Sequence, residues 1–135
     1  MVQKEVAERI VATPGGKNYG RLGVLTGARA FATSLFDVPP SAFVPPPKVW
    51  SSVVRLDPRP DAATVPIKAL ERVTAAAFGQ RRKMLRSSLK VLGEPEAMIE
   101  AAGLTPTMRA EEAEVAAFVR LAEAHEARSK IAGNV

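Results

Sequence analysis

The organisation of this chain is decided by one stretch, Phe43-Val44-Pro45-Pro46-Pro47-Lys48-Val49-Trp50-Ser51. Each of the three consecutive prolines fixes φ and lacks an N–H donor, so the stretch cannot lie in a helix or a central strand. It is therefore predicted to be a stiff, extended loop. An aromatic ring at its start and a cation near its end suit a flat ligand such as a base. The structural alternative is that Phe43 packs in the core.

Apolar and β-branched runs on both sides of this loop predict two strands, over residues 32–38 and 50–56. Upstream of them, apolar spacing predicts two short helices, over residues 3–12 and 19–30. Two strands do not form a stable sheet by themselves. Residues 1–60 are therefore expected to be the end of a larger α/β domain whose first part is missing from this sequence.

A run of proline and aspartate, Asp57-Pro58-Arg59-Pro60-Asp61, ends the second strand and marks a predicted domain boundary. Downstream, helices are predicted over residues 66–78, 81–92, 96–102 and 111–127. Gly93 and Gly103 are predicted to end two of them. Residues 61–135 are therefore expected to form a small all-α domain.

The composition of the 135 residues limits the classes of function. There is no cysteine, which excludes disulfides and thiolate zinc sites and fits a reducing cytoplasm. No apolar run approaches the roughly 20 residues that span a bilayer, so no membrane partner is expected. The net charge of +5 favours an anionic partner.

The predicted helix over residues 81–92 carries the strongest charge signal. Arg82, Arg86 and Lys90 would lie within about 80° of one another around its axis, with Lys83 at the edge. No acidic residue occurs between Phe78 and Gly93. An unbalanced basic face favours nucleic acid as the partner, and the alternative is a solvated face neutralised by the acidic last helix.

Candidate catalytic and metal-binding residues are few. His125 is the only histidine, and its position among glutamate and alanine predicts a solvent-facing side chain. Glu111, Glu112 and Glu114 form a cluster without histidine or aspartate at ligand spacing, so no metal site is predicted. Acidic residues at the start of a helix explain the cluster more simply. The residues by themselves do not describe a complete enzyme.

Two motifs resemble the rRNA adenine N6-dimethyltransferase family. One is the loop pattern F-x-P-x-P-K-V-x-S that begins at Phe43, and the other is the run FGQRRKMLR over residues 78–86. Weaker matches occur in the same order along the chain, in the runs QKEV (3–6), YGRL (19–22), VVRL (53–56) and RAE (109–111). The resemblance is to the C-terminal half of the small-subunit dimethyladenosine transferases.

The resemblance implies a fold, a reaction and a partner. Residues 1–60 would be the last helices and strands of a Rossmann-like methyltransferase domain, followed by a helical rRNA-binding domain over residues 61–135. The family transfers methyl groups from S-adenosylmethionine to N6 of two adjacent adenosines near the 3′ end of 16S rRNA. The implied partners are small-subunit rRNA and the 30S ribosomal particle.

The resemblance also implies roles for individual residues. Phe43 would stack on the target adenine, while Pro45, Pro47 and Lys48 would shape its pocket. The helical domain would grip rRNA through a second set of cationic residues, Arg81, Arg82, Lys83, Arg86 and Lys90.

Two signatures of the family are absent from this sequence: the glycine-rich cofactor loop and the Asn-(Leu/Ile)-Pro-Tyr catalytic motif. Ser87 also stands where the family usually has asparagine. The chain is therefore expected to contain no catalytic residue and to bind no S-adenosylmethionine. Its parent protein would have both a cofactor site and methyl-transfer activity. The alternative is a free-standing, non-catalytic basic module that binds RNA or associates with the ribosome.

Overall fold

The computed structural model describes residues 1–133, with side chains through Lys130. The described residues form three strands and six α-helices, joined by turns and short 3₁₀ segments. In chain order the elements are β1 (Val2–Gln3), α1 (Lys4–Ile10), α2 (Arg21–Arg29), β2 (Ala30–Val38), β3 (Ser51–Pro58), α3 (Ile67–Gly79), α4 (Leu85–Ser88), α5 (Pro95–Ala101) and α6 (Val115–Gly133).

The strands form one antiparallel sheet in the order β1-β3-β2. The two strands predicted around the proline-rich loop are confirmed, and they pair from Ala30 opposite Pro58 to Val38 opposite Ser51. A bulge between Ser34 and Phe36 shifts the register. Sequence analysis missed β1, because two residues are too few to show a strand pattern.

Arg59 contacts both the β2–β3 hairpin and helix α2. The Arg59 guanidinium lies 4.1 Å from the centroid of the Phe31 ring, within the range of a cation–π contact. Its Nε donates a hydrogen bond of 2.6 Å to the Gly27 carbonyl near the end of α2. The segment predicted to be a boundary between domains is therefore held against the upstream part.

One buried cluster crosses residue 60. Tyr19 and Val24 from the upstream part pack in the same core as Leu70, Val73 and Phe118 from the helices downstream. The close packing of α2 against these helices means that the structure does not confirm a separate all-α domain. The division into 1–60 and 61–135 remains a prediction.

The prediction of one continuous helix over residues 81–92 is wrong, because helical turns begin only at Leu85. Met84 is extended, with φ −65° and ψ 151°, and the chain then makes the short helix α4 followed by a 3₁₀ turn over Leu89–Leu92. The Leu85 N–H donates to the Met108 carbonyl at 2.8 Å, so it cannot close a helical turn with the residues before it. The calculation that placed Arg82, Arg86 and Lys90 on one helical face therefore does not apply.

The other helix predictions hold with small shifts. Pro95 is at the start of α5, and Gly93 and Gly103 have φ of 100° and 71°, as glycines that end helices often do. The helix predicted from residue 111 begins later, since Ala110–Glu112 form a 3₁₀ turn ahead of α6.

His125 is not solvent-facing, as the sequence suggested, but is only 8% exposed within α6. Burial, with a smaller effect of the Arg72 charge, lowers the pKa of its imidazole below the usual value. The position therefore favours a neutral ring.

This burial predicts a pH dependence of stability. Because the pKa of His125 is lower in the folded than in the unfolded chain, the unfolded state binds the proton more readily below about pH 6.5. The free energy of unfolding should fall between about pH 7 and about pH 5, and His125→Gln should flatten part of that fall. Urea denaturation of both proteins across this range measures the difference. If the free energy of unfolding depended on pH equally in the two proteins, the lowered pKa of His125 would be contradicted.

The contact between α1 and α2 leaves no room for a side chain at Gly23. A Cβ there would lie 2.8 Å from the Arg9 carbonyl oxygen, whereas a Cβ at Gly79 would meet nothing within 4 Å. Gly23→Ala should therefore lower the free energy of unfolding by about 1–3 kcal/mol, the usual cost of overpacking. The matched change Gly79→Ala should be neutral or slightly stabilising. Urea unfolding measures the stability of the two variants. Equal stabilities would show that α1 can move away from a Cβ at residue 23 without loss of stability.

Candidate RNA-binding surface

A basic cleft opens where α1, the start of α2 and the end of α3 meet. Its volume is about 530 Å³. Four cationic side chains from different parts of the chain line it: Arg9, Lys17, Arg21 and Arg81. Such a concentration of positive charge around one concave surface suits a phosphate group or another anion.

Contacts with the protein hold Arg9 and Arg21 in place around this cleft. Arg21 Nη2 donates to the Glu71 carbonyl at 3.2 Å, and Arg21 Nε lies 3.4 Å from Thr74 Oγ1. Arg9 Nη2 lies 2.8 Å from Glu5 Oε1 in the previous turn of α1. The cleft is therefore built from side chains whose directions are set by α1 and α3.

The remaining basic residues of the family motif are exposed around α4. Arg82, Lys83, Arg86 and Lys90 all face solvent. Within residues 1–133, none of them forms a salt bridge with a carboxylate. Neutralisation by the acidic last helix, the alternative considered from sequence, is thus not seen for these four side chains. Their charge remains available to an external anion.

The fold brings one further cation to this region. Met84 pairs with Arg109 in an isolated antiparallel bridge, which places the exposed Arg109 beside the Arg82–Arg86 segment. Sequence analysis could not have found this pairing, because it joins segments more than twenty residues apart.

Sequence analysis also missed Arg9, Lys17 and Arg21. One signal was present: Arg21 begins α2, and a cation at a helix N-terminus opposes the helix dipole. A residue that works against the local preference of its helix is often there for another reason.

The proline-rich loop lies on the surface and contains no helix or strand between Phe43 and Trp50, as its prolines predicted. Phe43 is half-buried and its N–H donates to the Pro40 carbonyl at 3.2 Å, whereas the next residue, Val44, is 99% exposed. The peptide bond between Val44 and Pro45 is cis. Pro45, Pro47 and Lys48 are exposed. The loop therefore holds Phe43 partly against the protein while its prolines project outward.

A second, shallower groove of about 400 Å³ lies beside this loop, between Lys48, Trp50 and the first residues of α1. Lys4 Nζ is 3.2 Å from Asp37 Oδ2 and 5.9 Å from the centroid of the Trp50 ring. A hydrogen bond of 2.6 Å from Ser52 Oγ, and then Lys4, lower the pKa of Asp37. Of the four loop residues assigned to the adenine, Lys48 lines this groove and the other three do not.

Helix α1 connects the two concave surfaces. Its first residues, Lys4 and Glu5, line the groove beside the loop, and Arg9 near its end lines the basic cleft. Seven residues of α-helix span about 10 Å. The proline-rich loop and the basic cleft are thus separated by one short helix.

The described residues can be compared with the usual arrangements of a metal site, a membrane span and a nucleotide-binding loop. They contain no group of three or more histidine, aspartate or glutamate side chains placed to bind a metal ion. No helix among them has both the length and the apolarity to cross a membrane. The glycines ahead of α2 follow a helix, not a strand, so they do not make the strand–loop–helix that cradles a nucleoside cofactor.

The fold is similar to part of two solved methyltransferase structures. The structure superposes on a dimethyladenosine transferase from Plasmodium falciparum with a TM-score of 0.81 and 24% identity, over 94% of this chain and 56% of that one. It also superposes on the 23S rRNA methyltransferase ErmE with a TM-score of 0.56 and 22% identity, over 92% and 52% of the two chains. At these identities the likeness establishes the fold.

The sequence establishes the family. The family described as "Ribosomal RNA adenine dimethylase" matches residues 1–126. The chain is 63% identical over 123 residues to ribosomal RNA small subunit methyltransferase A of Xanthobacter autotrophicus, and 57% identical over 132 residues to that of Rhodospirillum rubrum. The chain therefore belongs to the ribosomal RNA adenine dimethylase family, as its motifs predicted. The matches cover 90% and 97% of this chain but 43% and 46% of those relatives.

Proposed function

We propose that this chain is the C-terminal portion of an S-adenosylmethionine-dependent 16S rRNA (adenine-N6,N6)-dimethyltransferase. In that protein it supplies the loop that receives the target adenine and the surface that grips rRNA. The single observation that carries the proposal is the group of exposed cations around α4 that form no salt bridge within the described residues, in a chain of this family. The partners are small-subunit rRNA and the 30S particle, and the site of action is the cytoplasm.

The grip on rRNA is electrostatic. Four cations have no acidic partner among the described residues: Arg82, Lys83, Arg86 and Lys90. The residue before them, Arg81, lines the basic cleft. Cations without partners repel one another, so an anion that neutralises them is bound favourably. The closely spaced phosphates of an RNA backbone match this extended set better than one small anion does.

The proline-rich loop gives the surface its selectivity for a base. Three prolines restrict the conformations that the loop can adopt, so little conformational entropy is lost when a base binds. Phe43 stacks on the target adenine, and Pro45, Pro47 and Lys48 shape its pocket. Stacking between a base and an aromatic ring contributes about 1–3 kcal/mol.

The reaction itself needs residues that this chain does not contain. The upstream portion of the longer protein supplies the cofactor loop and the Asn-(Leu/Ile)-Pro-Tyr motif. The present residues bind the RNA and present one adenine to that portion. By itself the chain binds no S-adenosylmethionine, since its glycines do not form the required loop.

A chimera tests the proposal. The upstream part of the Xanthobacter autotrophicus relative, joined to this chain, should dimethylate two adjacent adenosines of unmethylated 30S particles, as mass spectrometry of the rRNA would show. A chimera that folds and binds the cofactor and rRNA, yet methylates nothing, would favour the non-catalytic RNA-binding module instead.

In the active chimera, Phe43→Ala should lower methyl transfer far more than rRNA affinity. The ring contacts one base, whereas overall affinity rests on the cations. The rate should fall about tenfold or more, with the salt dependence of binding unchanged. Val44→Ala, in the same loop but with a side chain exposed to solvent, is the matched control. If Phe43 were only a core residue, its loss would lower the melting temperature while methylation per folded molecule stayed the same.

Replacing one exposed cation should weaken binding to unrelated RNA sequences about equally, because phosphates carry no sequence information. For Arg86→Ala the slope of log K against log salt should flatten by roughly 0.7–0.9. Lys68→Ala, which removes an exposed cation from the first turn of α3, is the control and should leave both quantities unchanged. Equal effects of the two changes in fluorescence-anisotropy titrations would show that only net charge matters.

A further inference from the structure

Arg81 differs from the other basic residues of its segment. Its Nη2 donates a hydrogen bond of 2.8 Å to the Tyr19 carbonyl and lies 3.6 Å from Glu111 Oε2. Its guanidinium carbon is 5.9 Å from the centroid of the Phe78 ring. Arg82, the next residue, is exposed and forms no salt bridge within residues 1–133. The charge of Arg81 is therefore already engaged by the protein.

The partner of Arg81 is itself fixed. Tyr19 is fully buried, its hydroxyl donates to the Ala113 carbonyl at 2.7 Å, and its ring lies edge-on to Phe78 at 6.0 Å between centroids. Burial, together with the nearby charge of Glu114, raises the pKa of this hydroxyl to about 12. Tyr19 therefore anchors the loop between α1 and α2 to the segment before α6.

A second bond holds the other end of the same loop. The Gly15 N–H donates to the Glu111 carbonyl at 2.7 Å, so residue 111 contacts the loop through its main chain and Arg81 through its side chain. Lys17 lies between these two attachments. The position of Lys17 at the basic cleft thus depends on the contacts that Arg81 and Glu111 make.

We propose that Arg81 is a positioning residue for RNA binding: it holds the loop that carries Lys17 at the mouth of the basic cleft instead of contacting a phosphate itself. The inference rests on the proposed function, since it assumes that this surface binds RNA. It reassigns one of the five cations that sequence analysis gave to RNA. A phosphate contact requires only positive charge, whereas this position requires the planar guanidinium that can reach a carbonyl and a carboxylate together.

The test uses the fact that Tyr19 is the only tyrosine in the chain. Protein labelled with 3-fluorotyrosine gives one ¹⁹F resonance, which reports on the loop. Arg81→Lys keeps the net charge, yet it should shift or broaden this resonance and weaken binding to 16S rRNA about tenfold, the loss of one hydrogen bond to a charged group. Arg29→Lys, an exposed change on α2 outside the cleft, should alter neither quantity.

Arg82→Ala separates this inference from the proposed function. It should weaken RNA binding and flatten the salt dependence while leaving the ¹⁹F resonance in place. If Arg82→Ala does not change RNA affinity, the proposed function fails, whatever Arg81→Lys does. If Arg82→Ala weakens binding but Arg81→Lys binds as tightly as the unchanged chain, the positioning role is overturned.

Glu111→Gln provides a second variant in case Arg81→Lys does not fold. Removing an acidic charge from an RNA-binding surface should tighten binding on electrostatic grounds alone. The positioning role predicts the opposite, weaker binding with a moved ¹⁹F resonance, because Arg81 loses its ion-pair partner. Tighter binding with an unmoved resonance would overturn it.

Discussion

The hydrogen bond from the buried Tyr19 hydroxyl to the Ala113 carbonyl is the contact on which the rest of the structure depends. It joins the loop ahead of α2 to the segment ahead of α6, across 94 residues of sequence. Around it, residues from both sides of the predicted boundary share one core. The cations around α4 are therefore carried by the same packed body as the loop ahead of α2.

Short-range rules predicted much of the fold. The prolines at 45–47 lie between the two predicted strands, and Gly103 follows the end of a helix where expected. Three features could not be predicted from the sequence, because contacts between distant residues determine them. The strand β1 exists only through its pairing with β3, and the Leu85 amide bonds to Met108 instead of continuing a helix. His125 is buried by packing that its polar neighbours in sequence do not reveal.

The candidate site divides in the same way. The loop at Phe43 and the run over residues 78–86 are contiguous in sequence, so their motifs could be recognised. The basic cleft is assembled from α1, the loop ahead of α2 and the end of α3, and no local pattern connects Arg9 with Lys17 or Arg81. The sequence also does not distinguish two neighbouring arginines. Arg81 donates a hydrogen bond to the Tyr19 carbonyl, whereas Arg82 is exposed.

The central claim is that this chain presents Phe43 to one adenine while its cations hold the surrounding rRNA. Photo-crosslinking tests it most directly, with p-benzoylphenylalanine in place of Phe43 and unmethylated 30S particles as the target. The account predicts a crosslink at the two adjacent adenosines near the 3′ end of 16S rRNA, lost when high salt releases the protein. A crosslink elsewhere in the rRNA, formed while the protein remains bound, would contradict it.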